Sequence, residues 1–196
     1  LYRFNSSNVI GKIPGRRKNS GALLFMGHWD HLGICAPEGA PDRICNGAVD
    51  NASGIAVMNE VAEALAKKKH DRDIYFLATT AEESGLLGAY AFADKAVLPL
   101  DQIILSLNID TVAIAPRGSK VAIIGRGTTP LDAEVEAVAK KTGRTIEGST
   151  DANAFLQRQD GWALAQKGVP ALMVGGSFAD LNLMQKFLGS DYHGPN

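Results

Sequence analysis

The sequence predicts an α/β protein, a three-layer α/β/α sandwich around a mostly parallel mixed sheet. Two observations carry that expectation. Apolar runs of strand length recur along the chain, at 8–13, 21–27, 73–80, 102–109, 121–125 and 170–175. They are continuous rather than alternating, the pattern of strands covered on both faces. Helical patterns fall between them, and strands alternating with helices indicate a largely parallel sheet.

In chain order, NVIGKI (8–13) and GALLFMG (21–27) are the first two strands, separated by a turn that carries Arg16, Arg17 and Lys18. From Ser53 onward Ile55, Met58, Val61, Ala62 and Leu65 recur every three or four residues, one apolar stripe of a helix. Lys67, Lys68 and Lys69 close that helix, where positive charge suits the C-terminal end of the dipole. The run DIYFLATT (73–80) is a third strand, and a second helix is expected to begin near Ser84. QIILSLNI (102–109) and VAIIG (121–125) follow as strands. GRGTTP (125–130) lacks the Lys-Ser/Thr of a phosphate loop and reads as a turn into a helix from Leu131 to Lys141. A helix from about Gly161 to Lys167 and the strand PALMVG (170–175) complete the pattern.

Composition narrows the function classes. At 196 residues and 45% hydrophobic, the chain is long enough for one domain with a substantial core. A net charge of −1 and short basic clusters argue against a nucleic-acid surface. No apolar run approaches the ~20 residues of a membrane span. The first residue is Leu1 rather than Met, and no signal-like segment is present, so residues 1–196 are expected to be an excised or truncated piece of a longer chain. Cys35 and Cys45, the only cysteines, lie in one loop. They are either a local disulfide formed in an oxidising compartment or two small apolar residues that never meet.

In parallel sheets, sites gather beyond the carboxyl ends of the strands. Polar residues stand there in this sequence: His28-Trp29-Asp30-His31 after the second strand, Glu82 and Glu83 after the third, Asp110 after the fourth. Asp50 and Asn51 precede the first long helix, and His193 stands near the end. Imidazole with carboxylate suits zinc or another first-row divalent ion. Five candidate ligands exceed what one tetrahedral zinc takes from protein. Two ions sharing a bridge are therefore indicated, and Asp50, with two oxygens, is a natural bridge. The charges of two divalent ions, three carboxylates and one hydroxide sum to zero, so no uncompensated charge need be buried.

The segments GHWDHLG, GAVDNASG, TAEESGLLG, LNID and YHGP stand in the order and approximate spacing of the co-catalytic zinc aminopeptidases, peptidase family 28, and the chain resembles that family from about Asn8 onward. The resemblance implies the zinc-dependent exopeptidase fold and a peptide substrate. It implies two zinc ions, one held by His28 and Asp110, the other by Glu83 and His193, with Asp50 bridging. Glu82 would be the general base toward the water the ions activate, and Asp30 would fix the orientation of the His28 imidazole. The two neighbouring glutamates then divide two tasks, since adjacent side chains of an extended chain point apart. The family's peptide bond at Asp50–Asn51 is cis, and the same is expected here. Gln159 replaces the Ser that usually precedes the family's Asp, here Asp160, and Gly161 stands where a bulkier polar residue is common. Relatives are mostly exported, and they continue with further flanking structure, so the second ion is expected to bind this piece weakly. Other readings of the resemblance are a glutaminyl-cyclase-like or carboxypeptidase-type relative, and a receptor-like binding domain that has kept the fold without turnover.

Overall fold

The computed structural model describes residues 5–195; Leu1 and Asn196, the bounds of the expected domain, lie outside the described residues. Its centre is a six-stranded sheet built from β1 (Val9–Ile13), β2 (Ala22–His28), β5 (Asp73–Thr79), β6 (Ile103–Asn108), β7 (Ala122–Ile124) and β8 (Ala171–Gly175). The spatial order is β1-β5-β2-β6-β8-β7. The four inner strands are parallel, while β1 and β7 close the two edges antiparallel. Two-residue strands β3 (Gly33–Ile34) and β4 (Ile44–Cys45) form a separate ribbon, closed by a Cys35–Cys45 disulfide. Of the two readings of the cysteines, the bonded one holds.

Helices cover both faces, as the unbroken apolar runs require. Successive side chains of a strand point to opposite faces. Ala22, Leu24 and Met26 of β2 and Leu77 of β5 therefore pack against α2 (Leu87–Asp94) and α4 (Gly161–Ala165), through Ala89, Phe92, Ala93, Ala163 and Leu164. Phe25, Ile74 and Phe76 face the other way, onto Ile55, Met58, Val61 and Leu65 of α1 (Gly54–Ala66). The stripe read from the sequence is the buried face of α1. A third cluster joins β7 and β8 to α5 (Leu181–Leu188) through Ile124, Met173, Phe178 and Met184. α3 (Asp132–Lys141) follows the GRGTTP turn, where Asp132 accepts from the Gly127 amide.

Three expectations shift in detail. The run at 8–13 reads as a covered strand, yet β1 is an exposed edge, with Val9 62% accessible. The helix expected near Ser84 starts at Leu87, because Thr80–Leu86 first makes a tight turn in which the Glu82 carbonyl accepts from the amides of Gly85 and Leu86. α4 ends at Ala165, two residues early, as the chain turns through Gly168 at φ 83°. Among the described residues no helix is long and apolar enough to cross a membrane.

Candidate active site

The four parallel strands end on one rim, and the polar residues that follow them meet there. β2 delivers His28, which is 1% exposed, with Asp30 and His31 in the loop after it. The turn after β5 delivers Glu82 and Glu83, and Asp110 follows β6 by two residues. Asp50 arrives on the turn that feeds α1.

Asn51 fixes this last arrangement. Its Oδ1 accepts from the amides of Gly54 and Thr111, and its Nδ2 donates to the Ile109 carbonyl, which ties the start of α1 to the end of β6. The packing leaves no room for a side chain at Gly54, where an added Cβ would lie 2.2 Å from both Asn51 Oδ1 and the Ile109 oxygen. The Asp50–Asn51 peptide bond is cis, as the resemblance implies.

Asp50 stands between two imidazoles. Its Oδ1 is 3.0 Å from His28 Nε2 and its Oδ2 is 3.3 Å from His193 Nε2. Asp110 Oδ1 lies 3.7 Å from His28 Nε2, and Glu83 Oε2 lies 2.9 Å from His193 Nε2. Side-chain donors fall into two groups, His28 with Glu82 and Asp110, and Asp50 with Glu83, His193 and His31, the atoms within each group lying within 4.8 Å of one another. All seven residues that the sequence singles out, Asp30 among them, therefore border one region.

Asp30 is placed differently from a plain carboxylate-imidazole pair. Its backbone carbonyl meets His28 Nδ1 at 3.1 Å, with its carboxylate Oδ1 at 3.7 Å. The carboxylate instead accepts from the Glu82 and Glu83 amides, at 3.1 and 3.3 Å. One residue thus orients the imidazole and pins the glutamate turn.

Two features receive no role from the sequence. His31 places Nδ1 2.7 Å from Glu83 Oε1, and the signal was present, a second imidazole three residues after His28. The segment after β8 supports His193: the Tyr192 ring stacks on the imidazole at 3.7 Å between centroids, and Phe187 of α5 meets Tyr192 edge-on. Asp180 caps α5 by accepting from the Asn182 and Leu183 amides. An Asp followed by an apolar helical stripe is a recognisable start signal.

Electrostatics reflect crowded carboxylates. Burial, reinforced by the Asp160, Asp110 and Glu83 carboxylates, pushes Glu82 up to about 9. Burial and the Asp50 charge push Glu83 up to about 7. Burial of His28 works to lower its pKa, but the facing carboxylates of Asp110 and Asp50 outweigh it and push the ring up to about 12. Asp160, 1% exposed, is pushed up to about 7 by burial and shares a hydrogen bond with Thr79. Beside it Gln159 fills the space that Gly161 leaves, accepting from the Gly161 amide and donating to the Leu156 carbonyl, so that substitution holds the start of α4.

The donor set fits a divalent cation. His28 Nε2, His31 Nδ1, Glu83 Oε1 and His193 Nε2 are buried and make no hydrogen bond, although each has an oppositely disposed group within 3.0 Å. Buried polar atoms are normally paired, and close approaches without hydrogen-bond angles are what ligand atoms aimed at a common ion display. Nitrogen and oxygen donors in this mixture suit zinc and its first-row neighbours. Beside the donors lies a pocket lined by Asp50, Glu82, Asp110, Thr111, Arg158 and Tyr192 together with Phe155, Met173, Phe178, Met184 and Leu188.

The fold is shared with zinc aminopeptidases of known structure. BSAP, a zinc aminopeptidase from Bacillus subtilis, superposes with a TM-score of 0.66 at 24% identity, over 86% of this chain and 39% of that one. A glutaminyl cyclase from an Acidobacteriales bacterium has the same fold, with a TM-score of 0.66 at 22% identity, over 85% of this chain and 57% of that one. A probable zinc metalloprotease of Pyrenophora tritici-repentis is 31% identical over 154 residues, which cover 76% of this chain and 31% of the fungal protein. Residues 8–196 match the sequence profile of peptidase family M28, and the chain belongs to that family. It spans less than a third of the length of such curated relatives.

Proposed function

We propose that this chain is the catalytic part of a metallo-exopeptidase, an aminopeptidase that takes two zinc ions and removes apolar residues from peptide N-termini. The observation that carries the reading is Asp50, whose two oxygens face different imidazoles, the disposition of a carboxylate shared by two ions. His28 and Asp110 would hold one ion, Glu83 and His193 the other. When bound, such ions acidify a water toward a pKa of roughly 7 and polarise a peptide carbonyl.

The protein's own groups have the remaining tasks. Glu82 sits among the His28 and Asp110 donors with its amide held by Asp30. That suits it to take a proton from the attacking water and return it to the leaving amine. The Phe and Met side chains among the pocket's lining offer an apolar surface for the side chain of the residue removed, the usual basis of such a preference. The Cys35–Cys45 bond supports an exported protein, since such bonds persist in oxidising compartments.

Zinc content and hydrolysis of aminoacyl anilides test the reading together. Two ions per chain and release from leucyl over aspartyl anilide are expected. Glu82→Gln should keep its metal and lose ~10²–10⁴ in kcat. Full activity in that variant would remove Glu82 from the mechanism. The cyclase reading, favoured by the fold it shares, is separated by product: cyclised glutaminyl peptide with no free amino acid.

A further inference from the structure

His31 is the donor that this scheme does not use. Its ring is nearly buried, 13% exposed, with Nδ1 2.7 Å from Glu83 Oε1. Neither atom makes a hydrogen bond, and the ring offers a donor nitrogen within 4.8 Å of donor atoms from Asp50, Glu83 and His193. The His193 ring meets it edge-on, with centroids 5.6 Å apart. Space for the ring depends on Gly47: a Cβ there would come within 2.7 Å of His31 Cγ, and Gly47 adopts φ 65°, a conformation that disfavours other residues.

We propose that His31 is an additional protein ligand, through Nδ1, to the ion held by Asp50, Glu83 and His193. The inference rests on the two-ion reading above and deepens it by making the two loci unequal. One locus then has four protein donors, the full complement of a closed tetrahedral zinc site, and the other has three, His28, Asp110 and the shared Asp50, which leaves a position open. Glu82 groups with the open locus. Structural and reactive duties would therefore be divided between the two ions.

The test is metal binding rather than turnover. Metal-free parent, His31→Ala and His31→Gln are titrated with Zn²⁺ in the presence of a competing chelator, and Co²⁺ adducts are followed by their visible absorption. Circular dichroism of the metal-free variants checks the fold. In the parent, two ions are expected. In His31→Ala, affinity at one locus should fall by roughly 100-fold or more, beyond the ~10–100-fold that a partner outside the ligands is worth. The Co²⁺ bands of that locus should change while those of the other remain. His31→Gln can still donate a hydrogen bond to Glu83 but offers no imidazole, so it should bind like His31→Ala. A smaller loss, or recovery in His31→Gln, overturns the ligand role and makes His31 a hydrogen-bond partner of Glu83. A parent that takes up only one ion sinks the two-ion reading and His31's place in it together.

Discussion

Removing the Asp30 carboxylate separates its work from that of the metal donors. In Asp30→Ala the amides of Glu82 and Glu83 lose their acceptor, at 3.1 and 3.3 Å, and the turn that carries both glutamates loses its anchor. A hydrogen bond to a charged group contributes about 1.5–3 kcal/mol, and two such bonds set an upper bound of roughly 3–6 kcal/mol. Both amides sit in a partly buried turn and recover some of this from water, so a loss of about 2–3 kcal/mol is expected. Asp30→Asn keeps one acceptor oxygen and should lose about half as much. Urea unfolding of the metal-free variants reads the stability, and kcat of the zinc-loaded forms reads the placement of Glu82. A fall in kcat of ~10–100-fold is expected for Asp30→Ala, the range for groups that orient a metal site without binding the ion. Unchanged stability with unchanged kcat would refute the assignment of this carboxylate to the glutamate turn. A large loss in Asp30→Asn equal to that in Asp30→Ala would show that charge, rather than the two amide contacts, is what matters.

Other outcomes follow from the same geometry. Gly54→Ala drives a methyl group to within 2.2 Å of a backbone oxygen and of Asn51 Oδ1, and thermal melts should show a loss of at least the ~1–3 kcal/mol of an overpacked core. Tyr192→Ala removes the ring stacked on His193 and should weaken one zinc locus about 10-fold in a chelator competition, whereas Tyr192→Phe, which keeps the stack, should match the parent. The metal-free protein should lose stability as the pH rises from about 5 to 9. Glu82 and Glu83 are pushed up to about 9 and about 7, and His28 up to about 12, so across that window the folded chain holds protons the unfolded chain has released. Denaturant midpoints taken across that range check the sign, and saturating Zn²⁺ should flatten or reverse the slope, because bound cations favour the ionised carboxylates.

The sequence discloses the sheet because inner strands covered on both faces must be largely apolar, and 22–27 and 74–78 satisfy that. It discloses the donors because each follows a strand or precedes a helix. Direction is less visible: an antiparallel edge such as β1 has the same apolar letters as an inner strand, although its partner lies on one side only. Contacts made by turns are also hidden. That the Asp30 carboxylate would meet two amides 52 and 53 positions later depends on the depth of the Thr80–Leu86 turn, which no local spacing specifies. α5 was within reach, since Asp180 caps an apolar stripe, but its importance comes from Tyr192 and His193, which no periodicity marks.

The strand order also has a temporal side. β1, β5, β2 and β6 are neighbours in space and all precede residue 109, so four of the six strands, with His28 and Asp50 beside them, come well before His193 in the chain. Domains fold as synthesis proceeds from the amino end. A chain folding from its amino end would gather the His28, Glu82 and Asp110 donors first, whereas the other group needs α5 with Tyr192 and His193. The second group of donors is complete only when the segment after β8 is in place.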